Sequence, residues 1–373
     1  MKFRIGFNAR CLVEPEVRGL SRYTGGLLRA LSKFPHLEII LFSDLPPYPG
    51  HLLDVRAIVR VFPAARESLW NDWLLPQKLR EEKIDLFHAP ADRGLPLRKP
   101  CPLIVTIHDS YERLHWPTLY KGTKSRLFYW KHELVNYLRA DAIITVSDTT
   151  RNKLANIGVA PERKLHKTYL APSPEFHPLA GPVDEKIIKQ YAVGEPYILY
   201  VGGYDQRKNV DCLVKAFDQA AMAHYSLVII AQKIWGFPVL CDKWRKLPCF
   251  PRLHLLEVST EEIPSFYRKA DFFVNPSLHE SFSFQLLEAM ACGTPVLASN
   301  REAIPEILGG AGLLFDPEDL DGLSRLLEKL GGDEALKNQL RKRGLERVKS
   351  FSWEKTARET VQVYSKVLNR SLV

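Results

Sequence analysis

Two glutamates, Glu280 and Glu288, stand eight residues apart in the run Asn275-Pro-Ser-Leu-His-Glu-Ser-Phe-Ser-Phe-Gln-Leu-Leu-Glu-Ala-Met-Ala-Cys-Gly-Thr-Pro-Val-Leu-Ala-Ser299. The pattern predicts a strand over Asp271–Val274, a polar loop, and a helix from about Phe282 to Ala291. Gly293 then stops the helix, and a further strand covers Pro295–Ala298. A helix N-terminus at the carboxyl end of a parallel strand suits a diphosphate, because unpaired N–H groups and the positive end of the helix dipole face the anion. The backbone around Ser281, Phe282, Ser283 and Phe284 supplies those groups. Eight residues are about two helical turns. Glu280 can therefore face a reacting sugar while Glu288 accepts hydrogen bonds from a ribose diol. The plain alternative is a helix capped by Ser281 or Ser283 with two surface glutamates.

The segment Tyr200-Val-Gly-Gly-Tyr-Asp-Gln-Arg-Lys-Asn209 again sets a glycine turn between a strand and a helix. Gly202 and Gly203 permit close backbone approach to a ligand. Arg207 offers a planar fork and Lys208 a point charge to phosphate oxygens. The spacing G-x-x-x-x-G-K-[ST] is absent, and no G-x-G-x-x-G opens the chain, which argues against a Walker loop and a nicotinamide enzyme. The pair in Asp319-Leu-Asp321 follows Pro317 and reads as helix capping and dipole compensation, not as a metal motif. His108 ends a strand and is followed by Asp109. A lone histidine in such a place is more often a satisfied structural residue than a functional one.

These candidates need a scaffold, and the 373-residue chain supplies length for two domains. Hydrophobic content of 46% and charged content of 25% are those of a globular protein. Short apolar runs alternate with amphipathic helix-length stretches, the pattern of a parallel sheet wrapped by helices. In the first half the strands fall at Arg4–Ala9, Glu38–Phe42, Ala57–Phe62, Asp85–Ala89, Leu103–His108 and Ala142–Ser147, with helices over Ser21–Ser32 and Lys124–Arg139. Pro172, Pro174, Pro178 and Pro182 then read as a linker. In the second half strands fall at Tyr197–Val201, Leu227–Ala231, Leu253–Leu256, Asp271–Val274 and Pro295–Ala298, with helices over Val210–Ala221 and Glu261–Arg268. The tail from Trp353 to Leu368 is apolar on one helical face and reads as a docking helix.

No apolar run is long enough to span a bilayer, and the opening residues lack the apolar core of a secretory signal. The six cysteines are scattered without a C-x-x-C pair, which fits free thiols in a reducing compartment and a cytoplasmic location. The net charge of +9 asks for an anionic partner or is a solvated basic surface. No nucleic-acid-binding motif accompanies it, so phosphorylated small molecules and an anionic membrane surface rank ahead of nucleic acid. The stretch Tyr120–Lys131 mixes Lys121, Lys124, Arg126 and Lys131 with Leu127, Phe128, Tyr129 and Trp130, and no acid interrupts it. It suits either peripheral contact with an anionic leaflet or aromatic packing in the core.

The second half resembles the donor-binding domain of the large retaining glycosyltransferase family 4, of GT-B fold, which includes glycogen-synthase-like and lipopolysaccharide mannosyl- and glucosyltransferases. The E-x7-E motif of that family is matched by Glu280 and Glu288, its glycine-turn lysine by Lys208, and its E-A-M-A-C-G-T-P-V stretch verbatim by Glu288–Val296. In the first half, Gly19-Leu-Ser-Arg-Tyr23 is similar to the acceptor-side glycine loop, with Ser21 in place of a second glycine. Thr106-Ile-His-Asp109 resembles the strand end whose histidine lies near the donor sugar, and Val146-Ser-Asp148 resembles a further family segment. Departures are Glu280-Ser-Phe-Ser283 where many relatives have E-G-F-G, and Gly203 where many have arginine. None removes a group that the chemistry requires.

The resemblance implies an α/β fold of two Rossmann-like domains facing across a cleft, with a C-terminal helix crossing back to the first domain. The implied division is 1–172 for acceptor binding, 173–352 for the nucleotide sugar and 353–373 for the helix. It also implies a hexosyl transfer from a nucleotide-diphosphate sugar to a glycan or lipid-linked saccharide, with His108, Asp109 and Glu280 at the reacting centre. The implied chemistry uses no cofactor and no metal, since cationic side chains and helix N–H groups cover the diphosphate. No carboxylate stands out as a covalent nucleophile. An epimerase of the same architecture and a silent sugar-nucleotide sensor are the rival readings.

Overall fold

The computed structural model describes residues 2–16, 19–92, 94–109, 122–123, 135–158, 160–231 and 237–372. The chain divides into two compact units: Met1–Ala171 with Ser352–Val373, and Pro172–Phe351. Each is a Rossmann-like parallel sheet with helices.

In the first unit the strands are β1 (Phe3–Asn8), β2 (Leu37–Ser43), β3 (Ile58–Val61), β4 (Leu86–Ala89), β5 (Leu103–Ile107), β6 (Ala142–Thr145) and β7 (Leu165–Lys167). They lie in the order β3-β2-β1-β4-β5-β6-β7, every pair parallel. The central strands β4, β5 and β6 are buried along their whole length, which is why their sequences are mostly apolar and do not alternate. The order reverses between β1 and β4, so the carboxyl ends of these strands flank a crevice suited to a ligand.

Helix α1 (Gly19–Leu31) follows β1 and buries Tyr23, Leu27, Leu28 and Leu31. The acceptor-side loop expected at Gly19 and Ser21 is instead the first turn of this helix. Ser21 is buried there, its hydroxyl 3.5 Å from the Glu16 carbonyl. The stretch Tyr120–Lys131 lies outside the described residues except for 122–123, and of the helix expected over Lys124–Arg139 the described part, Val135–Arg139, is helical.

The second unit holds β8 (Tyr197–Val201), β9 (Ser226–Ile230), β10 (Leu253–Leu256), β11 (Phe272–Asn275), β12 (Val296–Ser299) and β13 (Leu313–Phe315). Their order is β10-β9-β8-β11-β12-β13, again all parallel, with the reversal between β8 and β11. After β8, helix α2 (Val210–Gln219) packs Leu213, Val214 and Phe217 into a core with Ile198, Leu227 and Trp244. Pro182 of the proline-rich stretch opens a helix, Pro182–Gln190, where its missing N–H costs nothing. Helix α3 (Phe284–Ala291) starts two residues later than its sequence suggests. Ser283 takes a left-handed φ of 76°, which ends any helix running back through it and leaves Ser281 and Phe282 in the loop.

The C-terminal helix α4 (Trp353–Leu368) begins at Ser352, whose side chain accepts from the Lys355 N–H, and it packs on α1 within the first unit. Gly26 of α1 leaves room for the Trp353 indole, which any side chain there would overlap. The Thr356 hydroxyl donates to the Tyr169 carbonyl at 2.6 Å.

Candidate functional site

In the second unit, β8 runs out at Val201 into the glycine turn. The Gly202 N–H donates to the Ile230 carbonyl at 3.0 Å, and the Tyr200 hydroxyl donates to the Gly203 carbonyl at 2.7 Å. A Cβ on Gly202 would come within 2.6 Å of that hydroxyl, so the turn admits only glycine there without moving Tyr200. Gln206–Lys208 make one 3-10 turn, and Asn209 then takes a left-handed φ of 54° before α2 begins. Its amide donates to the Pro317 carbonyl at 3.2 Å, holding the turn.

The loop after β11 docks on this turn. The Leu278 N–H donates to the Arg207 carbonyl at 2.7 Å, and the Lys208 ammonium lies 2.6 Å from Glu280 Oε1. The same oxygen accepts from the Ser277 hydroxyl at 2.9 Å. Lys208 and Glu280 thus meet across the reversal point of the sheet, where the two C-terminal strand ends leave the crevice. The arrangement places a cation and a partly buried carboxylate a few ångströms from the start of α3. Arg207 is held differently: its Nε is 3.1 Å from Asp205, and its side chain is 37% exposed.

Two further contacts shape the loop. Asn275 accepts from the Ser277 N–H at 3.0 Å and donates to the Ser283 hydroxyl at 3.0 Å, which fixes the turn that carries Glu280. Phe282 is buried, edge-on to Phe284 and to Phe351, so its side chain anchors the loop and the ligand side is left to the backbone. Glu288 is 3% exposed on α3, and the Tyr267 hydroxyl donates to its Oε2 at 3.2 Å. The structure therefore gathers Gly202, Gly203, Lys208, Glu280, Ser281, Ser283 and the first turn of α3 at one strand edge, with Glu288 deeper in α3.

In the first unit, His108 follows β5. Its N–H donates to Asp92 at 2.7 Å, and its Nε2 donates to the Pro90 carbonyl at 2.8 Å, so Nδ1 is the acceptor nitrogen of the neutral ring. Burial pushes the imidazole below its ordinary pKa, against the pull of Asp92. The ring stands edge-on to Tyr23, centroids 4.6 Å apart. Asp109 follows at the same strand end, half-buried.

Behind His108 lies a buried chain that the sequence did not announce. The Tyr23 hydroxyl is 3.0 Å from Thr106 Oγ1, Thr106 Oγ1 is 2.7 Å from His88 Nε2, and His88 Nδ1 is 2.7 Å from the Tyr364 hydroxyl. All four side chains are buried. Desolvation drives the His88 pKa down to about 3, so the ring is neutral, and it raises both phenols. Tyr23, Thr106 and Tyr364 each lie in a motif or helix that the sequence marks. What it lacked was a reason to join them through His88, which sits in an otherwise apolar buried strand.

Among the described residues no group of three or more His, Cys, Asp or Glu is arranged to hold a metal ion, and no helix is long and apolar enough to cross a membrane. Asp319 caps the helix Leu320–Gly332, accepting from the Gly322 N–H at 2.8 Å. All six cysteines are free thiols.

This fold and strand-edge geometry define a GT-B glycosyltransferase. Residues 17–166 match the family described as Glycosyltransferase Family 4, and residues 195–333 match Glycosyl transferases group 1. The chain is 31% identical over 295 residues to the O-antigen chain mannosyltransferase B of Escherichia coli, covering 77% of this chain and 75% of that one. It is 30% identical over 375 residues to a glycosyltransferase of Methanocaldococcus jannaschii, covering 93% and 94%. Against the serotype-specific mannosyltransferase WbdA of Escherichia coli it is 24% identical and spans 47% of that longer protein. Among solved structures, Anabaena HepE in complex with UDP and glucose superposes with a TM-score of 0.77 at 16% identity, over 98% of this chain and 100% of that one. WaaG, a glycosyltransferase involved in lipopolysaccharide biosynthesis, gives 0.72 at 15% identity, over 95% and 98%. The chain belongs to glycosyltransferase family 4 and is a transferase enzyme.

Proposed function

We propose that the enzyme moves a hexosyl group from a nucleoside-diphosphate sugar to a glycan or lipid-linked saccharide, with retention and without a metal ion. The observation that carries this reading is the meeting of Lys208 and Glu280 across the β8/β11 reversal, beside the N-terminus of α3. Lys208, Arg207 and the backbone N–H groups from Ser281 to Phe284 neutralise the diphosphate, and Gly202 and Gly203 let its oxygens approach the turn. Glu288 takes the ribose hydroxyls. Glu280, oriented by Lys208 and Ser277, fixes the sugar. The roles of His108 and Asp109 toward the sugar, and of Gly19 and Ser21 toward the acceptor, rest on the motif resemblance.

In the step itself, the bond from the anomeric carbon to the distal phosphate oxygen breaks and its electron pair stays on the phosphate. The acceptor hydroxyl oxygen bonds the same face of the anomeric carbon, and its proton passes to the released phosphate oxygen. The mannosyltransferase name of the O-antigen relative and the UDP-glucose bound by HepE favour a mannosyl or glucosyl donor.

Incubation with UDP-, GDP- and ADP-linked hexoses, scored by thermal shift and by released nucleoside diphosphate, tests the reading. Turnover of one donor in excess EDTA supports it. Binding without turnover of any donor, or turnover that stops in EDTA and returns with magnesium, overturns it. Membrane presentation of the acceptor rests on the sequence of Tyr120–Lys131 alone. Co-sedimentation with anionic vesicles, abolished by Lys121→Glu with Lys124→Glu, is the corresponding test.

A further inference from the structure

Backbone strain in the second unit is concentrated where the ligand is proposed to bind. Among the described residues seven non-glycine positions take a positive φ, and three of them, Asn209 at 54°, Ser283 at 76° and Glu302 at 53°, lie in the segments that follow β8, β11 and β12. These are neighbouring strands of one sheet. Asparagine tolerates the left-handed region because its side chain bonds locally. Glutamate has no such excuse, and a strained residue persists only where its surroundings hold it.

Glu302 is held in two ways. Its Oε1 lies 3.0 Å from His279 Nδ1, and His279 is the residue before Glu280. The next residue, Ala303, donates its N–H to the Glu280 carbonyl at 3.2 Å. The Ser299 hydroxyl donates to the Ser277 carbonyl at 2.5 Å, tying the foot of the same two loops. The loop after β12 therefore rides on the loop that carries Glu280, and it presents a partly buried carboxylate whose backbone would relax if it were glycine.

We propose that Glu302, oriented by His279, is a specificity-determining residue that reads the configuration of the donor's sugar hydroxyls. The inference rests on the nucleotide-sugar reading above and deepens it. A carboxylate repels a diphosphate but accepts from hydroxyls, with roughly four acceptor sites on its two oxygens. The cationic Lys208 serves the other, anionic end of the donor. A carboxylate fixed in direction by a histidine and a strained backbone discriminates between hydroxyls that differ only in configuration, because the wrong epimer leaves it without its hydrogen bond.

The test compares the wild-type enzyme with Glu302→Gly and Glu302→Gln. Glycine suits a φ near 53°, so the melting temperature of Glu302→Gly should stay within about 3 °C of wild type. Each protein is assayed for UDP and GDP affinity and for kcat/KM with UDP-glucose against UDP-galactose and GDP-mannose against GDP-glucose. The expected result is nucleoside-diphosphate affinity within about twofold of wild type, with discrimination between epimers reduced about tenfold or more in Glu302→Gly and less in Glu302→Gln. Unchanged discrimination in Glu302→Gly, with nucleotide affinity intact, overturns the proposal and leaves Glu302 as a loop tie. Failure of the nucleotide-sugar reading looks different, since the wild-type protein would then bind neither UDP nor GDP, and this proposal would fall with it.

Discussion

The two units differ in what lies behind and along the carboxyl edges of their sheets. In the second unit the edge carries ion pairs, Lys208 with Glu280 and Arg207 with Asp205, and a further carboxylate, Glu302, on turns bent into left-handed backbone. In the first unit Tyr23, Thr106, His88 and Tyr364 form a chain of uncharged groups in the core behind the edge, with His108 leaning on its end and Asp92 and Asp109 beside that histidine. The two sheets share a parallel, doubly wound plan with one reversal each. The same plan therefore carries two electrostatic regimes. Paired charges suit a ligand whose own charge must be neutralised as it leaves. A buried neutral network suits the fixing of a ring's orientation, because the low-dielectric surroundings strengthen each hydrogen bond and penalise any charge.

The comparison breaks most visibly at Glu280. Glu280→Ala should lower kcat by about 10²–10³-fold with KM changed only a few-fold, the pattern of a group that acts at the transition state. A raised KM with unchanged kcat in steady-state assays would move Glu280 to ground-state binding. Next, Lys208→Ala and Glu288→Ala should each weaken nucleoside-diphosphate binding about ten- to a hundredfold by calorimetry, as loss of a charge-assisted hydrogen bond does. An intact affinity in folded Lys208→Ala would remove the ionic character assigned to this edge.

The neutral chain predicts a pH dependence of stability. His88 is uncharged when folded and takes a proton only near about 3, whereas the unfolded chain takes it near the ordinary 6.5. The unfolded state binds more protons between those values, so stability falls as the pH drops below about 6.5 and is level above it. One such histidine contributes at most about 1.4 kcal/mol per pH unit. His108, His166 and His254 are shifted the same way by burial, so His88→Gln should remove one share of the slope seen in urea unfolding between about pH 7 and about pH 5. An unchanged slope would contradict a neutral, buried His88. The smallest effect sharpens the same point: Tyr364→Phe should cost about 1–2 kcal/mol, since it leaves one buried ring nitrogen without its partner.

Much of this was legible in the sequence, for reasons that differ by region. The buried central strands, such as Tyr197–Val201 and Leu103–Ile107, are mostly apolar runs, and such runs can be read in a single sequence. Tyr197–Val201, Leu253–Leu256 and the helix Trp353–Leu368 fall where the pattern puts them. The edge strands β7 and β13 escaped notice because three residues are too few to carry a periodicity. The start of α3 was misplaced because a serine can hold a left-handed φ that no propensity reveals, and the helix expected from Ser21 begins two residues earlier, at Gly19. Arg207 and Lys208 were read as a fork and a point charge for phosphate, and the structure adds the acid beside each, Asp205 and Glu280. Which acid a base selects depends on how loops from separate strands dock, and spacing along one segment does not encode that.

The interleaving of the first unit with the second has a consequence for how the chain comes off the ribosome. Residues 172–351 are synthesised between the two segments that build the first unit. At roughly 5–20 residues per second, that interval lasts about ten to forty seconds. The second unit is continuous in sequence and can close during that time. The first must wait with the pocket for Trp353 beside Gly26 empty and His88 lacking Tyr364. Its sheet is a nascent intermediate with exposed apolar surface, the kind of species that chaperones bind. Helix α4 therefore completes the first unit: until it is translated, the face of α1 that receives it and the ring of His88 stay without their partners.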